Sequence, residues 1–269
     1  MSDPLVVARL RAAGCVWAED EATLLEAAAA TSDQLESLVA RRAAGEPLET
    51  VLGWVDFLGR RLVVARGVFV PRRRTELLAR SAVERTRAVP TSCGRPVVVE
   101  MCCGVAPVAA SLEGVDAEVH GGDLSQPALA CARDNAPSAR FHLGDLYDAL
   151  PAGLLGRVHV LAANAPYVPT DRVAHMPPEA RDHEPLIALD GGAEGVDLHR
   201  RLAADAPRWL APGGVLLVET SPAQSGLTTD AMAAAGLATS VVADDEVGGC
   251  VAVGVRPVGV SRGAAGRAW

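Results

Sequence analysis

Apolar positions in the first fifty residues recur at three- and four-residue spacing, the period of a helix with one buried face. Leu5, Val6, Ala8, Leu10 and Ala13 mark one such helix, and Leu24, Leu25 and Ala28 a second. Thr31 or Ser32 caps a third, with Asp33 and Glu36 in its first turn and Leu35, Leu38 and Val39 on its inner face. Gly45 and Pro47 end it. From residue 51 the pattern changes. Val51, Leu52, Trp54, Val55, Phe57, Leu62, Val63, Val64, Val68, Phe69 and Val70 favour extended chain, and Gly53, Gly59 and Gly67 punctuate them. This predicts a hairpin linking a small helical domain to a larger one. A further helix is predicted over about 75–87.

From residue 96 short apolar runs alternate with helical stretches. Strands are predicted over 97–100, 118–122, 140–143, 158–163 and 215–219, and weaker ones near 239–243 and 250–256. Helices are predicted from near Pro107, over 127–135 and over 198–210, with Pro107 suited to a first helical position. This alternation predicts a parallel sheet covered on both faces, with ligands bound beyond the carboxyl ends of its strands. The expected divisions are a helical domain over 1–50, the hairpin linker over 51–74, the α/β domain over 75–256 and a flexible tail over 257–269.

Composition narrows the function. The chain has 269 residues and a formal net charge of −8. That sign repels phosphate backbones and argues against direct nucleic-acid binding. All 25 basic residues are Arg, and Arg72, Arg73 and Arg74 form the densest basic run. The six cysteines form no CxxC pair and no zinc spacing, so they read as reduced thiols of a cytoplasmic protein. No secretory leader pattern opens the sequence, and no apolar run spans a bilayer.

The chemistry collects at strand ends. Glu100 through Pro107, with Cys102, Gly104 and Ala106, forms the first strand-to-helix turn. It reads either as a plain tight turn or as the place where a cofactor approaches the backbone. Asp123 ends the next strand. It is either a helix cap or, taken with the turn, an acceptor for ribose hydroxyls, with Leu124 beside it. Asp145 and Leu146, after the third strand, read either as a plain turn or as an acceptor for an adenine amine and an apolar residue that packs on its ring. Asn164-Ala165-Pro166-Tyr167 after the fourth strand is the most specific signal. The Asn164 side-chain oxygen and the Ala165 carbonyl can take the two hydrogens of a planar NH2 group, Tyr167 can stack on its plane, and Pro166 stiffens the loop. A long connection follows, containing His183-Glu184-Pro185 and Asp190-Gly191-Gly192. It reads as substrate-contacting or structural rather than as acid–base machinery.

Taken in order, these signals resemble the protein-(glutamine-N5) methyltransferases of the HemK/PrmC type. The resemblance runs over roughly residues 5–256. It includes Arg42 through Leu48, Gly67 through Arg72 with Thr75-Glu76, and the turn at 102–106. It continues through Asp123-Leu124-Ser125, Asn164 through Tyr167, Glu184 through Gly192 and Pro212-Gly213-Gly214. It implies an α/β fold of the class I S-adenosylmethionine (SAM)-dependent methyltransferase type, with a Rossmann-like seven-stranded sheet, a small N-terminal helical substrate-recognition domain and a β-hairpin linker. It implies SAM as cofactor and, as partner, a class I peptide release factor carrying a glutamine acceptor. The amide-holding role then falls on Asn164, Ala165 and Tyr167. Cofactor contacts fall on Glu100, Cys102, Gly104, Ala106, Asp123, Leu124, Asp145, Leu146 and Asn164, and substrate contacts on Asn164, Tyr167, Arg72, Glu184 and Pro185. Alternative acceptors are another planar nitrogen, in a small metabolite or in adenine, and a binding module without catalysis is the third reading. The sequence departs from the family pattern at Ala165, where a proline is usual, and at Arg73-Arg74, where a proline and an acid are usual. It departs again at Cys102 and Ala106, where glycine is usual. A positive φ at Ala106 would cost about 1 kcal/mol.

Overall fold

A computed structural model describes residues 2–258; the predicted tail over 257–269 lies almost wholly outside the described residues. The chain opens with four helices, α1 (Pro4–Ala12), α2 (Ala18–Ala28), α3 (Ser32–Ala43) and α4 (Leu48–Leu52). Asp3 and Thr31 cap α1 and α3 through their side chains. Leu10, Ala18, Ala22, Leu25, Leu38, Val39 and Val51 build one small core among these helices. Val51 and Leu52 are therefore helical, not the start of a strand. The turn that holds them begins after Pro47 and stops at Gly53, which takes a left-handed φ of 82°.

The hairpin is shorter than predicted: β1 (Trp54–Phe57) pairs antiparallel with β2 (Arg60–Val63). Val68 and Val70 are buried singly in irregular chain instead of forming a strand. The hairpin packs on the larger core. Val55, Phe57 and Leu62 enter the main core, and Asn135 takes the Val63 N–H at 2.6 Å while its amide donates to the Val63 carbonyl at 3.0 Å.

The remaining elements are α5 (Thr75–Arg87), β3 (Val97–Met101), α6 (Pro107–Ser111), β4 (Glu118–Asp123), α7 (Gln126–Asn135), β5 (Arg140–Leu143), β6 (Val158–Ala163), α8 (Thr170–Val173), α9 (Pro178–His183), α10 (Asp197–Trp209), β7 (Leu210–Glu219), α11 (Ser225–Ala234), β8 (Ala238–Asp244) and β9 (Gly249–Val255). One seven-stranded sheet runs in the order β5-β4-β3-β6-β7-β9-β8. Its first five strands are parallel, and β9 is antiparallel to both β7 and β8. The purely parallel expectation fails there because β8 and β9 are joined by a short turn, which permits only antiparallel pairing. Strand β7 starts at Leu210, earlier than predicted. Its register shifts between Leu210 and Val215, so Ala211-Pro212-Gly213-Gly214 forms a bulge within the strand.

Side chains alternate across the sheet. Val98, Val160 and Leu217 face the core shared with α5, α6 and α7, while Val97, Val99, Met101, Leu161 and Val218 face the core shared with α10 and α11. Both faces are covered, and the strand order reverses between β3 and β6. The crevice beyond the carboxyl ends of those two strands is where such sheets bind ligands. No helix among the described residues is long and apolar enough to cross a membrane.

Candidate active site

A cleft of about 990 Å³ opens at that crevice. On its β3–β4 side the chain leaves β3 through Cys102 (φ 51°), Gly104 (φ 52°) and Ala106 (φ 62°), three left-handed residues in one turn. Only one is glycine, so the turn stores backbone strain of about 1 kcal/mol or more at each of the other two. Glu100, 3% exposed, holds the turn's far end by accepting the Val108 and Ala109 N–H groups at 3.0 and 2.8 Å, capping α6. Burial pushes its pKa up to about 8 against the pull of those two bonds.

Asp123 is not a helix cap, since Ser125 fills that position on α7. One Asp123 oxygen accepts the Gly104 N–H at 2.8 Å and the other the Ser125 N–H at 2.8 Å. A carboxylate has about four lone-pair sites, so acceptor capacity remains for a ligand hydroxyl. Burial raises its pKa, opposed by these N–H bonds. Asp145 pairs with Arg201 at 2.7 Å, and Leu146 turns beneath it with φ 46°. Cys102 lines the cleft as a thiol: burial raises its pKa, as do Asp123 and Asp145, which disfavours any nucleophilic thiolate reading.

On the β6 side the loop Asn164-Ala165-Pro166-Tyr167 lines the same cleft. The Asn164 Nδ2 donates to Thr75 Oγ1 at 3.3 Å, which leaves Oδ1 as the free half of the amide. Tyr167 donates its hydroxyl to Glu219 Oε1 at 3.1 Å, and Arg74 donates Nε to the same oxygen at 3.2 Å. The Arg74 guanidinium stands 5.6 Å from the Tyr167 ring centroid. Burial raises the Tyr167 pKa, so the residue stays a neutral phenol. Burial also raises that of Glu219, against the pull of Thr75, Arg74 and Tyr167. Behind the loop, His199 is 1% exposed, bonds Thr228 Oγ1 through Nδ1 at 2.9 Å and lies 6.2 Å from the Tyr167 ring. Burial holds its pKa down at about 4, so the ring is neutral.

The Asp190-Gly191-Gly192 motif braces this loop. Val168 N–H reaches the Leu189 carbonyl at 3.0 Å and Gly191 N–H the Val168 carbonyl at 2.8 Å. A Cβ on Gly191 would stand 2.6 Å from the Pro166 carbonyl oxygen, so only glycine permits the approach.

The structure brings Arg72, Glu100, Cys102, Gly104, Asp123, Leu124, Asp145, Leu146, Asn164, Ala165, Pro166, Tyr167 and Pro185 to the cleft. Three expectations change. Ala106 is fully buried beneath the turn and shapes it from below. Glu184 turns away from the cleft, accepting from Val70 N–H at 3.2 Å and Arg72 Nη2 at 2.6 Å. The Glu100 carboxylate reaches the cleft floor but is engaged with α6. Sequence reasoning missed Thr75, Arg74, Glu219, His199 and Arg201. Glu219 was findable: it is an acid at the carboxyl end of the strand paired with β6, beside the predicted loop. His199 carried no signal, as one polar residue in an amphipathic helix.

The turn after β3, the Asp123 carboxylate and the Asn164 loop thus line one cleft. No family model matches the chain. A release factor glutamine methyltransferase of Streptomyces coelicolor is 40% identical over 193 residues, 70% of this chain and 68% of that protein. The chain belongs to the release factor glutamine methyltransferase family. A second relative in Streptomyces pristinaespiralis, named 4-amino-L-phenylalanine/4-methylamino-L-phenylalanine methyltransferase, is 41% identical over 67% of this chain and 63% of that protein. The matched region thus spans about two thirds of each relative. A crystal structure of a methyltransferase from Pyrococcus furiosus superposes with a TM-score of 0.55 over 85% of this chain and all of that one, at 14% identity. That likeness concerns the fold: this is the class I SAM-dependent methyltransferase architecture.

Proposed function

We propose that the chain transfers a methyl group from SAM to the side-chain amide nitrogen of a glutamine in a protein, the acceptor being a class I peptide release factor in the cytoplasm. The observation that carries the reading is the Asn164 amide. Its NH2 is engaged with Thr75, so its oxygen is the half left for an incoming NH2 group in a residue that lines the cleft.

The residues present fit the cofactor. Gly104 has open space where a side chain would stand, and Asp123 keeps acceptor capacity beside it. Asp123 would hold the ribose hydroxyls, and Leu146 and Asp145 the adenine, with Arg201 sharing the Asp145 carboxylate. When bound, SAM supplies an electrophilic methyl group on a positively charged sulfur. Asn164 Oδ1 and the Ala165 carbonyl accept the two N–H bonds of the acceptor amide. The Tyr167 ring, fixed through Glu219, forms a flat wall for the amide plane. An amide nitrogen is a poor nucleophile because its lone pair is delocalised. Two preset acceptors make the positive charge that develops on attack easier to bear, and they aim the nitrogen.

An amino acid carrying an aromatic amine is a second acceptor reading. The name of the Streptomyces pristinaespiralis relative supports it, as do Arg72 and Arg74 at the cleft, cations suited to a substrate carboxylate. Mass spectrometry decides. Incubation with methyl-labelled SAM is expected to label one glutamine of a release factor. Label on 4-amino-L-phenylalanine instead would favour the second reading, and label on neither would contradict both.

A further inference from the structure

The segment Arg42 through Leu48 has no part in the cleft, yet it meets the connection that builds the cleft's acceptor side. Arg42 is 6% exposed and pairs within its own domain with Glu21 of α2, Nε to Oε2 at 2.6 Å. Its Nη1 donates to the Glu46 carbonyl at 3.2 Å. Its Nη2 donates to Glu21 Oε1 at 3.3 Å and also reaches beyond the four helices to pair with Glu179 of α9 at 2.7 Å. A Cβ on Gly45 would stand 3.6 Å from His183 Nε2 at the other end of α9. One residue further, the buried Glu184 carboxylate ties the connection to Val70 and Arg72. Pro185 through Leu189 then line the cleft, and Leu189 accepts from Val168 directly after the Asn164 loop.

We infer that Arg42 is a positioning residue for the acceptor site: through Glu179 it seats α9, and α9 seats the Glu184–Leu189 wall against which the Asn164 loop leans. The inference rests on the reading of this cleft as the acceptor site. The N-terminal domain then acts on catalysis directly, by setting the acceptor wall, in addition to any hold it has on a partner. The Arg42 guanidinium is buried and pinned by the equally buried Glu21, so its Nη2 offers Glu179 one fixed docking point. That fixes α9 relative to α3 more sharply than the exposed ion pairs elsewhere in the domain.

Arg42 variants risk unfolding the small domain, so the test uses Glu179, which is half-exposed and leaves the Glu21–Arg42 pair intact. Hydrogen–deuterium exchange is compared for the wild type, Glu179→Ala, Glu179→Gln and Arg9→Ala, which breaks an exposed pair with Glu36 inside the same domain. Glu179→Ala is expected to speed exchange over residues 184–190 and 164–168 by about tenfold, with Glu179→Gln intermediate and Arg9→Ala unchanged. Acceptor turnover by Glu179→Ala should fall about tenfold while SAM affinity stays within about twofold, a split that general destabilisation would not give. Wild-type exchange in both segments, equal acceleration in Arg9→Ala, or faster exchange with unaltered acceptor kinetics would overturn the inference. Exchange is read without any acceptor. A wild type that labels no glutamine would therefore sink the proposed activity and leave this contact to be judged by exchange alone.

Discussion

His199 illustrates how a single buried residue sets a pH window. Its ring is enclosed behind the Asn164–Tyr167 loop, and burial lowers its pKa from 6.5 to about 4. A histidine depressed in the folded state contributes stability that is complete above the unfolded value of 6.5. That stability is lost as pH falls through about 4, because the unfolded chain takes up the proton first. The loss amounts to roughly 3 kcal/mol by linkage. His199→Leu should therefore show a smaller drop in stability than the wild type between pH 7 and pH 4.5, measured by urea denaturation. Parallel pH curves for the two proteins would contradict the assignment. Buried carboxylates such as Glu219 and Asp123, whose pKa values burial raises, are common to both proteins, so the difference isolates the histidine. Other residues at this scale were legible in advance. The αL strain at Ala106 follows from a non-glycine in a turn that needs positive φ, and the structure has it at 62°. Cys102, also at a position where glycine is usual, has φ 51°, whereas nothing in the sequence flagged Leu146, whose φ of 46° depends on where the chain turns in space.

Among the elements, the turn from β3 to α6 depends on one side chain. Glu100 points inward from the sheet and closes the first turn of a helix only five residues long. Its loss would leave the Val108 and Ala109 N–H groups unpaired in a dry interior. Glu100→Ala is accordingly expected to destabilise the fold by about 2–4 kcal/mol at pH 7, read from the urea midpoint. A change below about 0.5 kcal/mol would mean that these N–H groups find other partners. Most strands and helices were readable from periodicity, because in a sheet covered on both faces nearly every inward position is apolar. The misreadings have physical causes. Val51 and Leu52 are β-favouring residues recruited to a helical turn because Val51 completes the core of the small domain. Val70 sits in an apolar run, but its N–H is taken by the Glu184 carboxylate instead of a neighbouring strand. Both outcomes depend on partners more than a few residues away, which local propensity does not see.

For the molecule as a whole, the architecture assembles one cleft from parts far apart in sequence. The segment before α5 supplies Arg72 and Arg74, the first residue of α5 is Thr75, the ends of β4 and β6 place Asp123 and Asn164, and the β6–α10 connection supplies the outer wall, with Glu219 at the end of β7 holding Tyr167. The loop residues that face the cleft could be proposed from sequence, since their position at strand ends is set by topology. The network behind them could not, because Thr75 is 89 residues from the Asn164 amide it holds and Glu219 is 52 residues from the Tyr167 hydroxyl. The Asn164 amide, held by Thr75, is the centre of the proposed acceptor site. The most direct test is the turnover of Asn164→Ala against the wild type on an unmethylated glutamine acceptor, with SAM affinity measured in parallel by calorimetry. Loss of one preset acceptor should lower kcat by roughly a hundredfold, with SAM affinity nearly unchanged. Turnover equal to the wild type would contradict the assignment of the NH2-holding role to Asn164.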